Sequence, residues 1–368
     1  MKKVFTIFAS VLLVALSIWV VGVNFFHPAG AKAAPTCTAT GFMRDNINLT
    51  AAMIPTNLNP NVTGSVNAAG CNIGVYYGPG ITGTVTAQVF GANYYGVVNN
   101  GSHVTVTGSQ IHDIGENPLN GDQHGYGIYF TEDTGAKGTI TKNLVWNYQK
   151  NGIVVRGLGS NATISNNTVI GQGPVNYIAE NGIEVGQGAK ATISHNIVVG
   201  NSYTGNSGGA TGSGILIYGG SCYGVALTTG VHITNNTIIG NDLGVALSNL
   251  DGNTCIPTFT PTNIVVKNNI STNDGINNLF GVNLSNQSGG YQAGVSDQGD
   301  GDQIITNSIC GLGYTPTTPP PYLYLIDTTV TNSPTVTGNT SCLDGSPITA
   351  PIKGTLHVHA GKRPGVSI

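Results

Sequence analysis

Apolar and polar positions alternate in short bursts along most of this chain, and the bursts repeat. The phrase "ATISNNTVIG" at 162–171 returns as "ATISHNIVVG" at 191–200 and as "VHITNNTIIG" at 231–240. Weaker copies are "VTVTGSQIHD" (104–113), "GTITKNLVWN" (138–147) and "IVVKNNISTN" (264–273). Each runs apolar–x–apolar, the period of a strand with one buried face, and then meets turn residues. A second phrase alternates with the first, a Gly followed by an alternating apolar strand. It reads "GVYY" (74), "GVVN" (96), "GIYF" (127), "GIVV" (152), "GIEV" (182), "GILI" (214), "GVAL" (244) and "GVNL" (281). Consecutive copies lie 22 to 37 residues apart, which describes one short coil with insertions in some of its turns. No helical apolar period of useful length follows Val23. Short strands that cannot bury their apolar faces alone become stable by stacking into a solenoid with a continuous core.

This pattern resembles the right-handed parallel β-helix repeat proteins, the superfamily that contains the pectate lyases, over about residues 70–310. The resemblance implies an all-β fold: a single-stranded right-handed parallel β-helix, or solenoid, of about 8–10 coils with loop insertions. Its motif specifies a fold and not an activity. Aligned coils place Asn143, Asn167, Asn196, Asn236 and Asn269 in one column after the first strand. In the resembling family such a column is an inward asparagine ladder, which satisfies the backbone groups buried at each bend. Val106, Ile140, Ile164, Ile193 and Ile233 read as core, as do Ile128, Ile153, Ile183, Ile215 and Val245. The expected organisation is a signal peptide or N-terminal membrane anchor over 1–33 and an N-terminal cap over 34–72. The β-helix follows over 73–310, with a C-terminal cap and tail over 311–368.

Composition supports an exported, folded chain. Gly is 54 of 368 residues and charged residues are only 8%, while 40% are hydrophobic; disordered chains show the opposite balance. At net charge −3 there is no basic face for nucleic acid. Two lysines precede an uncharged run from Val4 to Val23, and "AKA" at 31–33 offers a cleavage site. The run is also long enough to span a bilayer, so the membrane enters only through this segment, if it stays uncleaved. The expected location is secreted or membrane-anchored outside the cell. Cys37, Cys71, Cys222, Cys255, Cys310 and Cys342 have no zinc-type spacing and read as disulfides. Cys222 and Cys255 lie in insertions on consecutive coils and should bond, leaving Cys37–Cys71 and Cys310–Cys342 to fasten the two caps.

Charges are scarce, so their gathering is informative. Insertions enter the Gly strands at 111–123, 172–180 and 201–212, and function in repeat folds tends to sit on such loops. On the strands between them, Tyr129, Arg156, Glu184 and Tyr218 fall at outward positions, with Lys150 and Glu180 just before the strands as facing neighbours. The acidic, histidine-bearing stretch 112–133 adds His124, Tyr126, Glu132 and Asp133. Apolar ring faces beside charged and amide groups suit sugars. The expected partner is a polysaccharide or cell-surface glycan, bound in a groove floored by Tyr129, Arg156 and Glu184.

In a lyase-type reading, Arg156 neutralises an anionic sugar group while His124 or Lys150 moves a proton, making His124, Lys150, Arg156 and Glu184 the catalytic candidates. Tyr126, Tyr129, Glu132, Glu180 and Tyr218 are then the substrate-binding candidates. The chain lacks the paired Asp signature of polygalacturonases and the Arg-rich signature and calcium carboxylates of pectate lyases. A non-catalytic structural or adhesive surface protein is therefore the alternative. A third reading comes from outward threonines in "TVT", "TIT" and "TIS" triplets, which resemble those of ice-binding solenoids. Calcium is the candidate ion for Asp297, Asp300 and Asp302 in "DQGDGD".

Overall fold

The computed structural model describes residues 35–131, 135–203, 212–272, 293–310, 326–328, 334–342 and 344–348. Within them the chain is a parallel solenoid, as the repeats require. The Gly phrases stack into one sheet through Ile73–Tyr77, Tyr95–Asn99, Tyr126–Phe130, Asn151–Arg156, Asn181–Gly186, Ser213–Gly219 and Leu243–Asp251. The ten-residue phrases form a second sheet that bends once in every coil. In "ATISNNTVIG" the two arms are Asn161–Ser165 and Thr168–Val175, joined at Asn166 with φ of 57°.

Register is kept from coil to coil. Ile140 pairs with Ile164, Ile164 with Ile193, and Ile193 with Ile233, all fully buried. They pack against the other sheet in one cluster with Ile128, Ile153, Ile183 and Ile215. The asparagine column is an inward ladder. Asn143, Asn167, Asn196 and Asn236 each donate from backbone N and from Nδ2 to the next Oδ1, at 2.9–3.0 Å. It continues through Asn269 and Asn307 to Asn339, beyond the five expected members. The recurring Gly has a steric cause: a Cβ on Gly127 would stand 2.5 Å from Val145 Cγ1 and 2.6 Å from the Gly152 carbonyl oxygen.

Three details correct the sequence reading. The strand stacked after Leu243–Asp251 is Ala293–Asp297, with Val245 opposite Val295. "GVSD" at 294 therefore occupies that rung, and the expected "GVNL" at 281 lies outside the described residues. The two phrases share a Gly and an alternating strand 13 residues apart, so pattern alone could not separate them. Parallel pairing also extends past both expected ends: Val62–Asn67 joins the second sheet, and so do Thr335–Thr337 and Thr340–Ser341. Thirdly, Thr38–Arg44 and Ile47–Met53 form an antiparallel hairpin that joins the first sheet in parallel at Ile73–Tyr77.

Cys37–Cys71 and Cys222–Cys255 are disulfides with Cα atoms 5.4 and 5.0 Å apart. Cys342 is also disulfide-bonded, while the Cys310 side chain lies outside the described residues. Such bonds fit an oxidising extracellular environment. No helix among the described residues is long and apolar enough to cross a membrane. Residues 1–34, with the expected signal or anchor, are not among them.

Candidate functional site

The outward face of the first sheet carries two neighbouring columns. One runs Tyr126, Asn151, Asn181, Ser213, and the other runs Tyr129, Val154, Glu184, Leu216. Alternation sets the second column. The first also points outward because the buried Gly beside it turns inward at the corner, against Val145 or its equivalent.

Arg156 follows at the strand end and turns back onto Glu184, with Nε donating to Oε1 at 2.6 Å. Glu184 Oε2 accepts from Asn151 Nδ2 at 2.9 Å, and Asn151 Oδ1 accepts from Asn181 Nδ2 at 3.0 Å. Three rings frame the guanidinium: its carbon lies 5.2 Å from the centroid of Tyr126, 5.7 Å from Tyr218 and 6.0 Å from Tyr129. Tyr218 reaches it from two coils away by leaning over Gly186, where a Cβ would stand 2.1 Å from the ring. Burial works against the Arg156 charge, but Glu184 and the tyrosines outweigh it and move the guanidinium pKa up.

The expected open groove is not what forms. Tyr129, Val154 and Glu184 face outward yet are 1%, 0% and 2% exposed. Part of the cover is the N-terminal hairpin, which sets Phe42 against Tyr76 and Tyr95 and brings Arg44 Nη2 to 3.3 Å from Tyr129 Oη. Strand parity gives the side a residue faces, not what lies over it. Arg156 keeps an opening, with 15% of its side chain accessible.

Lys150 and Glu180 do not pair. Lys150 Nζ donates to the Ala179 carbonyl at 2.6 Å. Burial, eased by Glu184, brings its ammonium pKa down to about 8. Glu180 is fully buried, accepting the Gln172 N–H at 2.9 Å through Oε2, while Oε1 has no hydrogen-bond partner. Its burial raises the carboxyl well above the ordinary range. The two residues sit in a corner, where the alternation used to face them across coils no longer applies.

His124 belongs to another cluster. Its ring lies on Tyr94, centroids 3.8 Å apart, and Nε2 is 2.8 Å from Glu116 Oε1. Glu132 and Asp133 lie outside the described residues. Among the described residues the three aspartates do not converge as a three-ligand group. Asp302 is hydrogen-bonded to Asp297 and held by Thr262 and Ile264, whereas Asp300 is engaged through its carbonyl oxygen. Among the described residues, the group whose three ligand atoms converge is Glu116, Asp122 and His124. Sequence reasoning missed Asn151 and Asn181 as supports of Glu184; their place immediately before each Gly was the available signal. The threonine column is in register through Thr84, Thr105, Thr139, Thr163 and Thr192, and then meets His232.

Residues 56–229 match the family model described as a right handed beta helix region. No curated protein and no solved structure matches the chain.

Proposed function

Taking the chain as a right-handed parallel β-helix protein, we propose that it is exported and binds an anionic polysaccharide at Arg156. One observation carries the reading. Glu184 takes the Nε edge of Arg156, so among the described residues both terminal amino groups are left without a hydrogen-bond partner inside a frame of three tyrosines. A guanidinium fork matches a carboxylate or sulfate, and ring faces favour sugar C–H surfaces. Glu184, with Asn151 and Asn181 behind it, holds the fork in place.

A lyase-type activity is the second reading, favoured by Lys150. An amine with its pKa brought down to about 8 is partly deprotonated near neutral pH, as a base removing a sugar ring proton must be. His124 is the weaker candidate for that role, since Glu116 and Tyr94 already engage it.

The test incubates the purified chain with polygalacturonate, alginate, a sulfated glycan and neutral glucans. Calorimetry reports binding, and ultraviolet absorbance reports unsaturated products. Binding restricted to the acidic polymers, and weakened by Arg156→Lys, supports the proposal; equal binding of neutral polymers overturns it. Product formation lost in Lys150→Met separates enzyme from binder.

A further inference from the structure

The insertion between the strands Gln110–Ile114 and Tyr126–Phe130 carries side chains that the glycan reading leaves unused. Gln149 braces its backbone. That buried amide accepts from the N–H groups of Glu116 and Asn120, at 3.1 Å each, and donates to the Asp122 carbonyl at 2.8 Å. Gly115 and Gly125 make room for it, since a Cβ on either would stand 2.6 or 2.5 Å from Gln149 Cβ. The loop thus folds with Glu116, Asp122 and His124 facing one another, one ligand atom from each lying within 4.8 Å of the others.

Each of the three is also supported from behind. His124, 6% exposed, is clamped flat on Tyr94 with an interplanar angle of 14°. Glu116 Oε1 accepts from Asn93 Nδ2 at 3.1 Å, and Asp122 Oδ2 accepts from Asn120 Nδ2 at 2.9 Å. Outer supports of this kind orient metal ligands. The charge balance points the same way. Asp45 adds a third carboxylate near Tyr94. Among the described residues no Lys or Arg pairs with these three carboxylates.

We propose that Glu116, Asp122 and His124 form a site for a divalent transition-metal ion of the Zn²⁺ or Mn²⁺ type. An imidazole nitrogen with two carboxylates suits these ions, whereas Ca²⁺ favours an all-oxygen shell. On binding, His124 exchanges its hydrogen bond to Glu116 for the metal. Nothing in this assignment depends on the glycan reading.

The test titrates chelator-treated full chain with Zn²⁺, Mn²⁺ and Ca²⁺ by calorimetry, and with Co²⁺ by visible absorption. One Zn²⁺ or Mn²⁺ per chain is expected, with Co²⁺ bands showing nitrogen and oxygen ligation. Glu116→Gln and Asp122→Asn should each weaken affinity at least about tenfold. Exposed Asp344→Asn should leave it unchanged. Asp122 is exposed, so its variant keeps the test valid even if replacing the buried His124 impairs folding. Absence of binding, affinity unaltered in both variants, or Ca²⁺ binding tighter than Zn²⁺ would overturn the assignment.

Discussion

Two carboxylates four residues apart, Glu180 and Glu184, are both buried, yet their surroundings are opposite. Glu184 lies on the outer side of the first sheet with Arg156 on one oxygen and Asn151 on the other. Glu180 turns inward at the corner, toward Tyr148, Asn201 and Asp242. There Tyr148 Oη donates to Asn201 Oδ1 at 2.6 Å, and Asp242 accepts from Ser202 Oγ and from the N–H groups of Tyr203 and Gly212. The outer cluster sets a guanidinium directly on the carboxylate, whereas Glu180 accepts a backbone N–H and feels the Lys150 charge without an ion pair. The outer acid is therefore held directly by a cation, while burial raises the inner carboxyl well above the ordinary range.

The sharpest way to break this contrast is Glu184→Ala, which leaves Arg156 buried without its counter-ion. A loss of ~3–5 kcal/mol is expected in denaturant unfolding. Adding Arg156→Met should restore much of it, and a double variant as unstable as the single one would show that the pair does not set the cost. The next effect is a pH slope. Burial raises Asp242 from 3.8 to about 7. Between those values the folded state keeps a proton that the unfolded state releases, so this group's contribution to stability falls as pH rises through the window and then levels off. Subtracting the Asp242→Asn profile from wild type should isolate that decline; a difference that rises with pH would contradict it. The smallest effect is expected for Glu180→Gln. It keeps the shape of a carboxyl that burial already raises well above the ordinary range, and should shift stability by less than about 1 kcal/mol. The same change at Glu184 should cost several times more, and equal costs at the two positions would erase the distinction.

The sequence announced the solenoid because its constraints recur. Gly127 and its equivalents meet the same neighbours in every coil, and each ladder asparagine meets the next. Arg156 and Glu184 were legible as neighbours for a related reason, since strand register fixes diagonal positions. Their enclosure was not legible. Phe42 and Arg44 come from more than 80 residues away, and nothing repeated marks their arrival. Lys150 and Glu180 were misread because both stand in a corner, where one residue of bend reverses inside and outside. Glu116 and His124 were overlooked as partners because a loop braced by Gln149 brings them together without any period to betray it.

The asparagine ladder has a direction. From Asn143 to Asn307 every asparagine-to-asparagine link runs the same way, the N–H groups donating to the next Oδ1 on the C-terminal side, while each Nδ2 also donates back to a carbonyl of the preceding coil, and the Ser109 N–H enters the row at its near end. Any stretch running from one ladder asparagine to just before the next therefore has an unused donor at one edge and an unused acceptor at the other. Such a unit can be copied in tandem, and the copies join without a mismatch. A partial unit would leave a rung without its asparagine, breaking the row. Whole coils thus keep the row continuous, while the connections between rungs are free to change length. A phrase that returns at intervals of 29 and 40 residues with its asparagine intact is what such a row requires, whatever the length of the turns between.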